Sequence, residues 1–392
     1  MFTSSFFLIY LIIVVLLFFS IRREWRVSVL AFASLIFCFH IDIYAGIVLI
    51  ILTLFTFIGG HWMEWLKKRG NRKYTGRIAV FFISVDILVL FLYKFAIYFL
   101  EKFNYVEVVS LTLMEYLMIP LGISFYTFQS ISYLVDIHKN TYSAKENLTE
   151  FILYMSFFPK FISGPIERAK NFMGQLKEIK EINFWQSGRL SVAFTYILYG
   201  YFMKIVIADR VAIIVNRIFD YPQGYDSVWL LIGIILYTIQ IYADFAGYSY
   251  IAVGVAKIFG ITIQINFKNP YFSYSISEFW RKWHISLSNW LRDYLYIPLG
   301  GNRKGKIRKN INTMIVFIIC GLWHGTGISF LIWGILHGIY SIADNLILKN
   351  IKNTYLKKSI TLMEIAAAWV FFRATSASVA LNYFKQIIIQ GS

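Results

Sequence analysis

Charge is scarce in this sequence. Only 15% of its 392 residues are Asp, Glu, Lys or Arg, whereas 58% are hydrophobic. Soluble globular domains carry about 25% charged residues, so this composition excludes an ordinary soluble protein. The chain also has only two cysteines, Cys38 and Cys320, and each lies inside an apolar run. Such a pair predicts neither a disulfide framework nor a cysteine-based metal site.

Several catalytic motifs are missing as well. The chain contains no G-x-S-x-G nucleophile elbow and no glycine-rich phosphate loop that follows a strand. These absences disfavour a serine hydrolase and a phosphoryl-transfer enzyme. No other His, Cys, Asp or Glu stands at metal-ligand spacing from His284 or His324, so no metal site is predicted.

Long apolar runs are abundant. A membrane-spanning helix needs about 20 apolar residues. By this criterion the sequence predicts spans at 2–21, 27–41, 43–64, 78–99, 117–135, 190–208, 228–248, 311–326, 328–347 and 360–381. The first run has no basic region before it and no small-residue cleavage site after it, which favours a span over a signal peptide.

The apolar run 151–165 is too short to cross a membrane, and it ends in Gly164 and Pro165. We expect it to be re-entrant, since irregular backbone is tolerated at membrane depth only inside protein. The sequence shows no internal repeat, linker or second domain. It therefore predicts one all-α, multi-pass integral membrane domain over 1–392.

Basic residues are distributed unevenly between the predicted loops. With the N-terminus outside, the inner loops carry 30 of the 38 Lys and Arg residues, ten of them in 249–310, and the outer loops carry three. Cytoplasmic loops are enriched in Lys and Arg, so this pattern predicts an outside N-terminus. Topology and contact with anionic lipids then explain the net charge of +17 without a nucleic acid partner.

The segment 262–310 is too long and too aromatic for a simple loop. Ser275 followed by Glu278 fits a capping box at a helix start. Apolar residues then recur at spacings of three and four, namely Phe279, Trp280, Trp283, Leu287, Trp290, Leu291 and Tyr294. This stripe predicts an amphipathic helix that ends before Pro298. Such a helix could lie on the inner membrane face, in which case His284 would have no catalytic duty.

His324 lies deep in a predicted span. If its helix begins near Ile311, a rise of about 1.5 Å per residue puts His324 roughly 20 Å into a hydrocarbon core about 30 Å thick. An ionisable group at that depth is a functional hypothesis by default. An imidazole can accept the proton of a hydroxyl that attacks an acyl group. A histidine that hydrogen-bonds across a helix pair is equally consistent with these residues.

Taken together, the motifs resemble those of the membrane-bound O-acyltransferase family, and within it the bacterial branch that includes the alginate O-acetylation and cell-wall polysaccharide acetylation proteins. The resemblance covers most of the chain. It rests on PLGISFYTFQSISYLVDIHK (120–139), FFPKFISGPIER (157–168), YADFAGYSYIAVGVAKIFGI (242–261), NFKNPYFSYSISEFWRKWHISLSNWLRDYLYIPLGGNRKGK (266–306), GLWHGTGISFLIWGILHG (321–338) and WVFFRA (369–374).

The resemblance implies a ring of about 10–11 spanning or re-entrant helices around a thin central catalytic region, with 262–310 folded into the ring. His324 corresponds to the family's catalytic histidine, and His284 to its second polar position, which is His or Asn. The candidate substrate-binding residues in these motifs are Gln129, Asp244, Trp280, Arg281, Trp283, Ser288, Asn289, Arg292, Asp293 and Trp323. Arg303, Lys304 and Lys306 are candidates for binding the phosphates of the acyl donor, although positive-inside topology explains them as well.

The sequence departs from the family pattern in two places. Tyr250 stands where the branch usually has Asp, which leaves Asp244 as the acid expected to matter in that motif. Many relatives also continue for further helices beyond the WVFFRA region, which leaves both a native C-terminus and a truncated one open for this chain.

The resemblance implies transfer of an acyl group, most simply acetyl, in a bacterial cytoplasmic membrane. The donor would be a cytoplasmic thioester, acetyl-CoA or an acyl carrier protein, and no bound cofactor is expected. The implied partners are membrane lipid, a polysaccharide acceptor, and an extracytoplasmic acyltransferase or small membrane protein. The alternatives are D-alanyl transfer to teichoic acid from a carrier protein and, from another class, a transporter or channel with an intramembrane histidine.

Overall fold

The computed structural model describes residues 2–102, 120–184, 188–344 and 346–390, and every regular element in these ranges is helical. We number the α-helices of these ranges in chain order. They are α1 Ser5–Ser20, α2 Arg26–Ile41, α3 Ile43–Lys68, α4 Thr75–Lys102, α5 Ile123–His138, α6 Leu148–Ser156, α7 Ala169–Gln175, α8 Arg189–Tyr201, α9 Asp209–Asp220, α10 Ser227–Ile258, α11 Ile276–Lys282, α12 Ile285–Leu291, α13 Gly305–His324, α14 Ile328–Ala343, α15 Thr354–Arg373 and α16 Ala377–Ile389. The predicted all-α class is confirmed.

Five helical segments in the described ranges are long and apolar enough to cross a membrane. They are Arg23–Ile41, Ile43–Lys68, Arg72–Ala96, Arg189–Asp220 and Ser227–Ile258. Each overlaps a predicted span, although Arg189–Asp220 and Ser227–Ile258 extend beyond the predicted 190–208 and 228–248. The helices Ser5–Ser20 and Ile328–Ala343 are apolar but shorter. The protein is thus a multi-pass membrane protein, while the ring arrangement and the outside N-terminus stay predictions.

The chain divides into two compact units. The first comprises Met1–Leu198 and Ser249–Gln264, and the second comprises Tyr199–Tyr248 and Ile265–Ser392. The prediction of a single domain over 1–392 stays a prediction.

In the first unit, α3, α4 and α5 pack together around buried polar groups. Thr56 on α3 lies 2.7 Å from Ser130 on α5 through their hydroxyl oxygens, and Ser130 in turn donates to Asp86 on α4. The short helix α6 packs on α2 and ends at Ser156, before the Gly164–Pro165 pair. A short helix followed by irregular backbone agrees with the shape expected of the run 151–165. The predicted span 117–135 begins at residues outside the described ranges, which resume at 120.

In the second unit, α13 and α14 form a helical hairpin whose backbones come unusually close. A Cβ added to Gly321 would lie 2.5 Å from the carbonyl oxygen of Phe330, and one added to Gly334 would lie 2.4 Å from that of Phe317. Glycine at both positions is what permits this approach. Helix α15 packs on α14, and α11 also contacts α14.

The predicted loop 209–227 is largely helical. Helix α8 runs through a π-helical turn at Phe202–Ala208 straight into α9, which ends at Asp220. The apolar residues Val215, Ile218 and Phe219 are buried at helical spacing, while the remaining positions of α9 are mostly polar or exposed. Hydropathy marks only the apolar part of such a helix, which is why the sequence prediction stopped at 208.

The predicted stripe helix of the segment 262–310 is broken in two. Ser275 does cap a helix, because its side chain accepts a hydrogen bond from the amide of Glu278. That helix, α11, ends at Lys282, and α12 starts only at Ile285. The prediction of one continuous helix was therefore wrong, and the break lies at Trp283 and His284.

Candidate active site

The backbone at His284 explains the break between α11 and α12. His284 has φ 42° and ψ 54°, the left-handed region, and it is the residue immediately before α12. For a residue with a Cβ this conformation costs roughly 1–2 kcal/mol and persists only where the surroundings enforce it. Such residues concentrate at functional sites, so the conformation singles out His284 more sharply than its sequence context does.

Asn266 holds the chain on the far side of His284. The amide of Ile285 donates to the backbone carbonyl of Asn266 at 3.0 Å, and the amide of Ser286 donates to its side-chain oxygen at 3.1 Å. Asn266 is fully buried. It therefore accepts hydrogen bonds from two of the amides that a helix start leaves without intrahelical partners. These two amides directly follow His284, so the contacts hold the backbone on the far side of this residue.

The His284 side chain is buried among aromatic rings. Its ring centroid lies 4.7 Å from that of Phe245 and 6.3 Å from that of Trp323. His284 lies between the candidate spans, and burial lowers the pKa of its imidazole to about 3. Desolvation penalises the charged form, so His284 is neutral at pH 7 and can donate one hydrogen bond without carrying charge.

His324 is the last residue of α13 and is half-buried. Its ring contacts Trp323, Trp333 and Phe372, at centroid distances of 4.7, 5.0 and 5.1 Å. The α13–α14 hairpin supplies the first two of these rings, and α15 supplies Phe372 through the WVFFRA motif. The helix ends at His324 because the next residue, Gly325, has an extended conformation.

Trp323 connects the two histidines. Its indole contacts the rings of both His284 and His324. Trp323 thus links two residues that are 40 positions apart in sequence. The catalytic roles of His284 and His324 stay predictions.

A third histidine lies beneath this region. His337 on α14 is fully buried, and its Nδ1 accepts a hydrogen bond from Nε1 of Trp280 at 3.3 Å. Its ring packs against Trp333, 4.9 Å away, which itself contacts His324. His337 and Trp280 therefore pack behind Trp333, one of the rings that contact His324. For Trp280, predicted to bind substrate, the structure shows this packing role.

A cavity of about 240 Å³ lies between α11, α12 and the hairpin. On α13 its lining includes Lys309, Thr313, Val316 and Cys320. Their spacing of three and four places them on one face of the helix, and this face spans about 16 Å at 1.5 Å per residue. Cys320 stands one turn before His324, so the cavity follows α13 towards the catalytic candidate.

Three of the predicted substrate-binding residues line this cavity: Trp280, Ser288 and Arg292. Arg292 and Lys309 are the cations of the lining, and Arg292 also pairs with Asp293 at 2.8 Å. The side chain of Ser288 donates to the Trp283 carbonyl at 3.2 Å. Thr313 and Cys320 were not selected from the sequence, although their positions on one helix face were readable.

Other predicted residues lie away from the cavity lining. Trp283 is buried against Phe279 and Trp369, Asn289 is half-buried, and Arg281 is exposed. The candidate phosphate-binding residues Arg303, Lys304 and Lys306 are all exposed and are not part of the lining.

The two remaining substrate-binding candidates are engaged elsewhere. Asp244 accepts from Nζ of Lys204 at 2.5 Å, and the same ammonium pairs with Asp209 at 2.8 Å. Gln129 lies in the first unit, where its amide donates to the carbonyl of Tyr154 at 3.3 Å. These contacts stabilise the fold by themselves, so a substrate-binding role for either residue stays a prediction.

The chain is similar to proteins of several bacteria. It is 36% identical over 307 residues to a probable alginate O-acetylase of Pseudomonas syringae pv. tomato, covering 76% of this chain and 58% of that protein. It is 34% identical over 337 residues to the peptidoglycan O-acetyltransferase of Helicobacter pylori, covering 78% and 63%. It is 33% identical over 239 residues to the teichoic acid D-alanyltransferase of Streptococcus thermophilus, covering 56% and 55%.

This chain therefore spans less than two thirds of the length of these relatives. The sequence profile of one family matches residues 98–384, which include both histidines, the cavity and the α13–α14 hairpin. With nearly three quarters of its length matched, the chain belongs to the membrane-bound O-acyltransferase family.

Proposed function

We propose that this protein is an O-acyltransferase that moves an acyl group, acetyl in the first instance, from a thioester donor on the cytoplasmic side to a hydroxyl group outside. One observation carries the proposal. The face of α13 that lines the cavity runs from Lys309 to Cys320, and His324 lies one turn beyond Cys320. The neighbouring Trp323 contacts the rings of both His324 and His284.

The cavity fits the chemistry of a thioester donor. Arg292 and Lys309 supply the positive charge that the phosphates of coenzyme A or of a carrier's prosthetic arm require. Beyond them the lining becomes apolar at Val316, Phe317 and Cys320, which suits an uncharged thioester that must be kept from water. Three further cations are exposed and lie outside the cavity lining, namely Arg303, Lys304 and Lys306. They would attract the negatively charged donor electrostatically before it enters the cavity.

In the proposed reaction His324 acts as the general base. Its imidazole takes the proton of the acceptor hydroxyl while the hydroxyl oxygen bonds to the carbonyl carbon of the thioester. The carbon–sulfur bond then breaks, and the departing sulfur takes the proton back from His324. His284, neutral and buried, would donate a hydrogen bond to the carbonyl oxygen as negative charge develops there.

The acceptor is proposed to be a hydroxyl of an extracytoplasmic polysaccharide, or of a partner protein that passes the acyl group on. The comparisons support acetyl over D-alanyl, since the similarity to the O-acetylating relatives extends over 76–78% of this chain and that to the D-alanyltransferase over 56%. D-alanyl transfer remains the second candidate, because its enzymes share the same family.

Thiol labelling tests the donor assignment. Both cysteines of the chain are buried, but Cys320 lines the cavity, whereas Cys38 lies in the first unit. With purified protein and a small methanethiosulfonate reagent, acetyl-CoA or an acylated carrier protein should slow the labelling of Cys320 and leave Cys38 unchanged. Arg292→Ala with Lys309→Ala should abolish this protection, while Lys352→Ala should not. Equal labelling of Cys320 with and without each donor would contradict the assignment.

A further inference from the structure

A second cavity lies in the first unit, outside the proposed catalytic region. It has a volume of about 390 Å³ and lies between the last turns of α3 and the chain that follows α5. Three cations line it, Lys67, Lys68 and Arg72, together with the single carboxylate of Glu64. The rest of the lining is polar and comes from residues 140–143.

Two of the three positive charges are in excess. Glu64 accepts from the Ser143 hydroxyl at 3.0 Å and is paired with Nζ of Lys67 at 4.0 Å. Lys67 also donates to the carbonyl of Ile137. The charge of Lys67 therefore neutralises that of Glu64. Lys68 and Arg72 are exposed and contribute two further positive charges to the cavity lining.

The opposite wall is held in place by its own hydrogen bonds. The amides of Thr141 and Tyr142 both donate to the carbonyl of Asp136, at 3.0 and 3.2 Å, around a left-handed Asn140 with φ 59°. The Tyr142 hydroxyl donates to Glu146 at 2.7 Å. A cavity whose wall is already ordered loses little entropy when it takes a ligand.

The surroundings place this cavity at the depth of lipid headgroups. Helix α3 is a candidate span that ends at Lys68, and Trp62, Trp65 and Tyr74 are exposed around its end. The guanidinium of Arg69 lies 4.1 Å from the centre of the Trp65 ring. Exposed Trp and Tyr beside basic residues mark the interface between hydrocarbon and water.

An apolar track leads along α3 to the cavity. The exposed residues of this track recur at spacings of three and four, and they are Ile47, Ile51, Leu54, Ile58, Trp62 and Trp65. Lys68 lies one turn beyond Trp65. A free phosphate ion would make no contact with the apolar track. A lipid would cover the track with its acyl chains while the phosphate of its headgroup contacted the cations.

We propose that this cavity binds the phosphate headgroup of an anionic membrane lipid, with Lys68 and Arg72 contacting the phosphate and the exposed face of α3 contacting the acyl chains. The site lies apart from the acyl-transfer chemistry and does not depend on it. Its ligand class is a negatively charged phosphodiester that carries hydrocarbon chains.

Native mass spectrometry of the detergent-purified protein tests this site. Lys68→Gln with Arg72→Gln should weaken retention of phosphatidylglycerol on the order of tenfold relative to the unchanged protein. Lys170→Gln with Lys177→Gln removes two exposed cations of the same unit that do not line the cavity, so this pair should retain the lipid as before. Thermal unfolding in the absence of added lipid should be the same for both pairs, since all four side chains are exposed.

Three outcomes would overturn the proposal. Equal loss of phosphatidylglycerol in both double variants would show attraction by overall charge without a site. Equal retention of phosphatidylcholine with the same acyl chains would show that the cations are not used. Displacement of the lipid by inorganic phosphate at equal concentration would assign the cavity to a soluble anion.

Discussion

At the scale of single residues, the backbone of His284 carries the most information. Its left-handed conformation is held by Asn266 on one side and by the aromatic rings of Phe245 and Trp323 on the other. The sequence analysis could select His284 through its motif. It could not see the positive φ, because a stripe of apolar residues at helical spacing looks the same whether the helix is continuous or broken.

Substitution of His284 by Asn and by Ala should have different effects. Asn enters the left-handed region several-fold more readily than most residues, and it keeps a neutral hydrogen-bond donor. Ala keeps neither advantage. We expect His284→Asn to retain measurable acyl transfer and His284→Ala to lose activity on the order of 10²-fold, as for removal of one donor to a developing oxyanion. Rates of ester formation at matched protein levels measure this, and equal rates for the two variants would argue against a polar role.

The low pKa of His284 should make the protein's stability fall as the pH is lowered. The folded pKa is about 3, against about 6.5 for an unperturbed histidine. Between these values the unfolded chain binds more protons, so the free energy of unfolding decreases with falling pH, by about 3 kcal/mol between pH 7 and pH 4.5. Thermal unfolding of His284→Asn should be less sensitive to this pH change than that of the unchanged protein. The same sensitivity in both proteins would show that folding does not lower the pKa of His284.

At the scale of elements, the α13–α14 hairpin decides where His324 lies. Both helices were predicted from their apolar runs, at 311–326 and 328–347. The structure identifies Gly321 and Gly334 as the positions where the two backbones meet. The cavity face of α13 went unpredicted because its basic start, from Gly305 onwards, lies outside the apolar run by which the span was recognised.

Gly334→Ala should separate the two helices. The added methyl would lie 2.4 Å from the carbonyl oxygen of Phe317 and 3.3 Å from the Cα of Gly321, and neither backbone atom can move without its helix. We expect a loss of roughly 1–3 kcal/mol in the free energy of unfolding and a parallel loss of activity. Gly174→Ala on α7 is the control, because nothing lies within 4 Å of its added methyl. A thermal unfolding midpoint for Gly334→Ala equal to that of Gly174→Ala would rule out the close contact.

At the scale of the whole molecule, hydropathy predicted the class of protein well. The five candidate spans all correspond to runs read from the sequence, because hydrocarbon requires continuous apolar stretches. The same rule is blind to amphipathic helices, which explains why α9 was placed in a loop. Local patterns could not predict the link between His284 and His324 through Trp323, since the two histidines are 40 positions apart in sequence.

The orientation of the chain is a prediction that labelling can check. In a background without Cys38 and Cys320, Gln223→Cys should react with a membrane-impermeant maleimide in intact cells, because 209–227 is predicted to lie outside. Lys352→Cys should react only after permeabilisation. Both positions are exposed, so neither result depends on burial. The reverse pattern would invert the predicted topology and, with it, the cytoplasmic side assigned to the donor.

The central claim is that His324 performs acyl transfer, and the most direct test is the amount of ester-bound acyl group on the cell's extracytoplasmic polymers. Cells carrying His324→Ala would be compared with cells carrying the unchanged protein or His61→Ala, a half-buried histidine of the first unit, at matched membrane levels. The acid released by mild base would be identified by mass spectrometry. We predict that acetate is lost with His324→Ala and retained with His61→Ala, whereas loss of alanine would assign the protein to D-alanyl transfer. Undiminished ester in the His324→Ala cells would contradict the account and leave His324 as a residue of packing alone.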